Sequence, residues 1–330
     1  MKVSFFSSQP YDISFFEKMN TQYQHEIIFH EYALNEETIE LVHDVQCVCV
    51  FVNDKLSASI LKKLFGKGVR LIALRCAGFN NVDIKTADKL GITVVRVPSY
   101  SPESIAEHTI GLMLSLSRHI HQAYNRIRES NFSLQGLLGF ELHNATIGIV
   151  GTGQIGTALA RILVGFGSNV IACDPTPNDE CISLGINYVD FKSLCQKSDV
   201  ISLHCPLNSE THHLVNKQTL QDMKKGVMLI NTSRGNVIDT QAVIESLKNK
   251  HIGYLGLDVY EQEENLFFQD LSNEIISDDV FERLITFPNV LITGHQAFFT
   301  NKALTNIAET TLKNIQRFEN NTECLHCCHI

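Results

Sequence analysis

Thr146-Ile147-Gly148-Ile149-Val150-Gly151-Thr152-Gly153-Gln154-Ile155-Gly156 is the stretch on which the reading of this chain turns. Its apolar start predicts a buried strand, and Thr157 to Phe166 continue with a helical period. Gly151, Gly153 and Gly156 form G-x-G-x-x-G, a pattern that alone recurs by chance. Here strand, glycines and helix come in the order a dinucleotide site requires. Gly151 permits the tight turn, Gly153 lets backbone approach a pyrophosphate, and Gly156 lets the helix pack closely on the strand. Amides at the helix start, those of Gln154 and Ile155 among them, then point at the phosphates. Asp174 ends the next expected strand, where a carboxylate accepts from the adenosine ribose hydroxyls and repels a 2′-phosphate. NAD is therefore expected rather than NADP.

Outward from this segment, β-branched runs alternate with helical patterns, which predicts parallel sheets with crossover helices. Strands are expected at 2–6, 45–51, 69–74 and 93–95 before it, and at 169–173, 200–204, 227–231, 256–259 and 290–293 after it. Residues 55–65 carry a helical period. The clearest break is Val97-Pro98-Ser99-Tyr100-Ser101-Pro102, where two prolines cannot extend a central strand but Ser101 and Pro102 suit a helix start. One long helix is expected from there to Arg128, bridging two domains, and another from Thr300 onward that returns to the first. The expected division is 1–100 with 300–330 as one discontinuous domain, and 101–299 as the dinucleotide-binding domain.

Three further strand ends carry polar groups that need a reason: Asn231-Thr232-Ser233-Arg234-Gly235, Leu257-Asp258-Val259-Tyr260-Glu261-Gln262-Glu263, and Thr293-Gly294-His295-Gln296-Ala297-Phe298-Phe299. In a doubly wound sheet the strand C-termini converge on one crevice, so these groups can be neighbours. Arg234 suits a substrate carboxylate and the polarisation of an adjacent carbonyl. His295 can protonate that oxygen as hydride reaches carbon. A glutamate beside it favours the protonated imidazole, and both Glu261 and Glu263 are candidates.

Together with Cys76-Ala77-Gly78-Phe79-Asn80-Asn81-Val82-Asp83 and Pro98 through Glu107, these segments resemble the D-isomer-specific 2-hydroxyacid dehydrogenases over essentially the whole chain, and within them most nearly the fermentative D-lactate dehydrogenases. The resemblance implies a Rossmann NAD-binding domain and a flavodoxin-like substrate domain, both doubly wound α/β, around a cleft. It implies Arg234, Glu263 and His295 as the catalytic set, its spacing from Asp258 selecting Glu263 over Glu261. It also implies Ala77 and Gly78 amides on the substrate carboxylate, and Tyr100 at the substrate. Phe51 and Phe298, aromatic like Tyr100, match side-chain-pocket positions and favour a methyl group over a branched chain; Phe51 can equally be core, since it ends an apolar run. Cofactor contacts are implied at Ile155, Asp174, Cys205, Pro206, Thr211, Thr232, Ser233 and Asp258. The implied oxidoreductase converts pyruvate to D-lactate with NADH. Its alternatives are a reductase of glyoxylate, hydroxypyruvate or a branched 2-oxo acid, or an NADH-sensing binding protein on the same scaffold.

Composition sets the limits. The 330 residues suit two domains, and a net charge of -9 argues against nucleic acid or an anionic membrane as partner. No apolar run reaches the roughly 18 residues of a membrane span, and the first residues make a poor signal peptide. A cytoplasmic protein with ten reduced thiols is expected, assembled as a homodimer or homotetramer as the family implies, with the helix from Pro102 a reasonable interface. At the tail, Cys324, His326, Cys327, Cys328 and His329 leave a soft-metal site or a frayed terminus open. No metal is expected in the catalytic site.

Overall fold

The computed structural model describes residues 1–322 and 324–328, apart from the Asn265 side chain, and the chain folds into two compact units, 1–101 with 299–330, and 102–298. Each is built on its own parallel sheet, the expected pair of doubly wound α/β folds.

In the first unit the strands are β1 (Lys2–Phe5), β2 (Glu26–Phe29), β3 (Cys47–Val50), β4 (Leu71–Leu74) and β5 (Thr93–Val95). Their order is β2-β1-β3-β4-β5, the flavodoxin-like arrangement. Every residue of β3 and β4 is buried, as uninterrupted Val, Leu, Ile, Cys and Ala runs must be when helices cover both faces. The strand β2 was not legible in the sequence: it is a half-exposed edge of mixed pattern. The helix Asn301–Glu319 packs on this unit, capped by Thr300 Oγ1, which accepts from the Ala303 amide at 3.2 Å.

In the second unit the strands are β6 (Thr146–Val150), β7 (Asn169–Cys173), β8 (Asn187–Tyr188), β9 (Val200–Leu203), β10 (Val227–Asn231), β11 (Ile252–Leu257) and β12 (Val290–Ile292), ordered β12-β11-β10-β9-β6-β7-β8. The first six in chain order follow the Rossmann pattern, and the seventh adds to its far edge. Strand order reverses between β6 and β9, so the crevice of this fold opens where those two strands end.

Two expectations are corrected. The single helix to Arg128 is two helices, Pro102–Ser117 and Ile120–Arg128. His119 between them takes a left-handed φ of 54°, and the Ser117 carbonyl accepts from the Phe140 amide at 3.2 Å. A distant segment thus takes an acceptor that continuation of the helix would need. The ten reduced thiols become eight free cysteines and one disulfide, Cys324–Cys327, whose Cα atoms lie 5.7 Å apart. Among the described residues no group of three or more His, Cys, Asp or Glu could hold a metal; His329, part of the tail cluster, lies outside them. Among them, too, no helix is long and apolar enough to cross a membrane.

Candidate active site

The glycine loop closes the end of β6. Gly151 has φ +94°, and a Cβ on it would sit 2.7 Å from the His204 carbonyl carbon at the end of β9, so only glycine fits at the switch point. A Cβ on Gly156 would collide with the Gly151 carbonyl, which explains the helix starting this close to the strand. Around Gly153, by contrast, nothing lies within 4 Å of that position. The helix Gln154–Gly165 starts there with no side-chain cap hydrogen bond from Gly153, and a helix N-terminus favours an anion. Asp174 at the end of β7 accepts from the Thr152 amide at 2.7 Å and the Thr176 amide at 2.8 Å, so it anchors this loop. An open glycine, uncapped amides and a strand-end carboxylate fit a dinucleotide.

The β9 end contributes Cys205, which is buried, and a loop closed on itself: Thr211 Oγ1 donates to the Pro206 carbonyl at 2.5 Å and accepts from the Asn208 amide at 2.9 Å. The β10 end contributes Thr232, whose Oγ1 is 3.0 Å from that of Thr109, and Ser233, whose amide and hydroxyl both donate to Asn231 Oδ1. Asn231 Nδ2 donates to the Arg234 carbonyl at 2.9 Å, setting the turn that presents Arg234. The half-buried guanidinium donates to the Ser233 carbonyl at 2.7 Å and, among the described residues, has no carboxylate partner. A cation so placed suits an anionic ligand.

Ends β11 and β12 meet through two carboxylates. Asp258, 1% exposed, accepts from the Gln296 and Ala297 amides, both at 2.9 Å, and from Thr293 Oγ1 at 2.5 Å. His108 Nε2 lies 3.3 Å from the same carboxylate and 3.0 Å from Thr293 Oγ1. Burial alone would raise the Asp258 pKa, but these donors, His108 foremost, hold it below the ordinary carboxylate value. The bonds pin the residues on both sides of His295, whose φ of 54° is left-handed and costs about 1 kcal/mol or more. His295 Nδ1 then meets Glu263 Oε1 at 2.8 Å, while Glu263 Oε2 accepts from the Tyr260 amide at 2.9 Å. Among the described residues His295 Nε2 has no hydrogen-bond partner, and the Phe268 ring lies 5.6 Å from the imidazole. Glu261 turns elsewhere, to His213 Nε2 at 2.7 Å.

In the first unit Phe51 follows β3, its amide donating to Asp54 Oδ2 at 2.7 Å and its carbonyl accepting from Asn81 Nδ2 at 2.9 Å. Its ring lies under the buried Arg75 guanidinium at 4.9 Å. Ala77 and Gly78 follow β4; the Ala77 carbonyl accepts from Arg96 Nη1 at 2.8 Å and the Gly78 carbonyl from Cys76 Sγ at 3.2 Å. The Tyr100 carbonyl accepts from Asn306 Nδ2 at 2.6 Å. Phe298, buried, closes the second unit three residues beyond His295. Sequence reasoning missed His108, Thr293, Phe268, Arg75 and Arg96.

Residues 110–297 match the family described as "D-isomer specific 2-hydroxyacid dehydrogenase, NAD binding domain". A 2-hydroxyacid dehydrogenase homolog of Haemophilus influenzae is 53% identical, and the D-lactate dehydrogenase of Escherichia coli 51% identical, each over 98% of both chains. The structure described as the pyruvate reductase of Chlamydomonas reinhardtii superposes with a TM-score of 0.93 at 43% identity, covering 99% of this chain and 98% of that one.

Proposed function

The chain belongs to the D-isomer-specific 2-hydroxyacid dehydrogenases and is an NAD-dependent enzyme of that family, and from this premise we propose that it reduces pyruvate to D-lactate. One observation supports the chemistry: His295 Nδ1 and Glu263 Oε1 lie 2.8 Å apart, so Nε2 is the ring nitrogen that Glu263 leaves for the substrate.

In the proposed reaction Arg234 binds the substrate carboxylate and polarises the carbonyl, and the amides of Ala77 and Gly78 are further donors to that carboxylate. NADH, when bound, supplies the hydride. His295 Nε2 gives its proton to the carbonyl oxygen and takes it back in the reverse direction. Glu263 fixes the tautomer and orientation of the ring and balances its positive charge. Asp258 keeps the His295 loop in its left-handed turn, in addition to the cofactor contact assigned to it by resemblance. Gln154, Ile155, Asp174, Cys205, Pro206, Thr211, Thr232 and Ser233 are assigned to the cofactor, and Phe51, Tyr100 and Phe298 to a pocket sized for a methyl group. Support for pyruvate comes from the names of the relatives and from these aromatic positions.

A cytoplasmic homodimer belongs to the same reading. Ile120, Tyr124 and Ile127 form an exposed stripe on one helix, and Phe132, Leu134 and Leu138 follow at 74%, 83% and 91% exposure, an apolar patch that a second copy would cover. The test is NADH consumption with a panel of 2-oxo acids, chiral analysis of the product, and sedimentation of the same sample. Pyruvate should exceed glyoxylate, hydroxypyruvate and branched acids in kcat/KM by about tenfold or more. Preference for another acid, an L product, or NADH binding without turnover would each overturn the substrate reading, and a monomer would overturn the dimer.

A further inference from the structure

The tail beyond the helix Asn301–Glu319 is not used by the proposed chemistry, yet it is built into the first sheet. Cys327 pairs antiparallel with Val95, the Cys328 amide donates to the Val94 carbonyl at 2.8 Å, and the Arg96 amide donates to the His326 carbonyl at 3.1 Å. These bonds cover β5, which is otherwise an open edge. The three tail cysteines differ sharply. Cys328 is buried in the core of the first unit, and that burial pushes its thiol above the ordinary value. Cys324 is exposed and Cys327 half-buried, and both line a cavity of about 490 Å³ with β5 and the preceding helix. Burial, then the charges of Arg317, Arg96 and Lys313, hold the intervening His326 imidazole below its usual pKa.

We propose that Cys324 and Cys327 are a reversible dithiol–disulfide site for small disulfides and thiols, whose closed form latches the tail on β5 and steadies the Ala77 loop. The exchange balances as two substitutions. One thiolate attacks a small disulfide, forming a mixed disulfide and releasing one thiolate of the reagent. The second cysteine displaces the remaining half, so the protein loses two electrons and two protons and the small disulfide becomes two thiols. The route to Ala77 is short. His326 Nδ1 lies 3.0 Å from Asn314 Oδ1, Asn314 Nδ2 donates to the Arg96 carbonyl at 3.0 Å, and Arg96 Nη1 donates to the Ala77 carbonyl at 2.8 Å. Arg96 also stacks over Phe79, at 5.1 Å. The coupling to Ala77, unlike the exchange itself, rests on the substrate role proposed above.

The test equilibrates the full-length enzyme in glutathione buffers from reduced to oxidised, traps thiols by alkylation, maps the tail peptide by mass, and measures KM for pyruvate and kcat in parallel. The expected result is a tail peptide that passes from three alkylated cysteines to one, Cys328, with the Cys324–Cys327 pair two hydrogens lighter, reversed by added thiol. The reduced form should show a KM about threefold higher at unchanged kcat, because the loop is less preorganised. The double variant Cys324→Ser/Cys327→Ser should keep the reduced-form KM in every buffer. A peptide that stays alkylated at both Cys324 and Cys327, or that carries separate glutathione adducts there, overturns the site. Equal KM in both forms overturns the coupling. Absence of pyruvate turnover in both forms counts against the substrate reading, and the peptide masses then decide the site alone.

Discussion

Two glutamates two residues apart, Glu261 and Glu263, each bind a histidine, at 2.7 and 2.8 Å, and the proposed function gives proton transfer to only one of the pairs. Their exposures are too alike to separate them: Glu261 is 22% and Glu263 18% exposed. The difference lies in which nitrogen is engaged. His213 gives its distal Nε2 to Glu261, whose other oxygen lies 3.3 Å from the Thr240 amide, so that pair ties a loop to the start of a helix. His295 gives its proximal Nδ1 to Glu263, and among the described residues its distal nitrogen has no hydrogen-bond partner. In the proposed reading, the acid/base pair is the one whose carboxylate holds the inner nitrogen of an imidazole carried on a fixed backbone. Asp258 does that fixing, through the amides of Gln296 and Ala297.

The contrast breaks most easily at the imidazoles. His295→Ala should lower kcat by about a thousandfold while leaving NADH affinity intact, the loss expected for a general acid. His213→Ala should keep kcat within about threefold and lower stability by roughly 1 kcal/mol, the worth of its bond to Glu261. Steady-state kinetics with fluorescence titration of NADH reads both, and equal losses would dissolve the distinction. The carboxylates give a smaller version of the same test. Glu263→Gln should cut kcat by about tenfold to a hundredfold with KM and melting temperature little changed, because a neutral amide can hold the ring but not balance its charge. Glu261→Gln should leave kcat alone and cost about 1 kcal/mol in a denaturant melt.

Much of this was readable in advance where the signal is local. Strand β6, the glycine turn and the following helix announce themselves because backbone geometry at Gly151 and Gly156 admits no side chain and the apolar periods flank them directly. What was illegible depends on partners far along the chain. The helix break at His119 needs the Phe140 amide, which periodicity over residues 102–128 cannot contain. The spacing from Asp258 already selected Glu263 by resemblance, but the partner that holds Glu261, His213, is brought in by another loop and was not legible. Arg75 reads as an ordinary cation after a strand but is 1% exposed, donating to the Ser7 carbonyl at 2.7 Å and lying 3.6 Å from Asp12. Charge type in sequence says nothing of burial until the neighbouring strands are in place.

A third histidine sharpens the comparison because it has no carboxylate. His204 follows β9 behind Gly151; its Nε2 lies 2.7 Å from Ser202 Oγ, and its buried Nδ1 has no partner among the described residues. Burial alone pushes its pKa down to about 4 from the ordinary 6.5. With the folded value below the unfolded one, the unfolded chain binds the extra proton between those two pH values, so stability falls as pH is lowered from 6.5 toward 4 and the effect is absent above 6.5. His204→Gln, which can keep the bond to Ser202 but cannot take a proton, should remove this slope. Between pH 7 and pH 4.5 the unsubstituted protein should lose about 2 kcal/mol more than the variant, a figure set by the size of the shift. Denaturant melts without cofactor measure it, and parallel pH profiles for the two proteins would show that this imidazole is not held neutral by its surroundings.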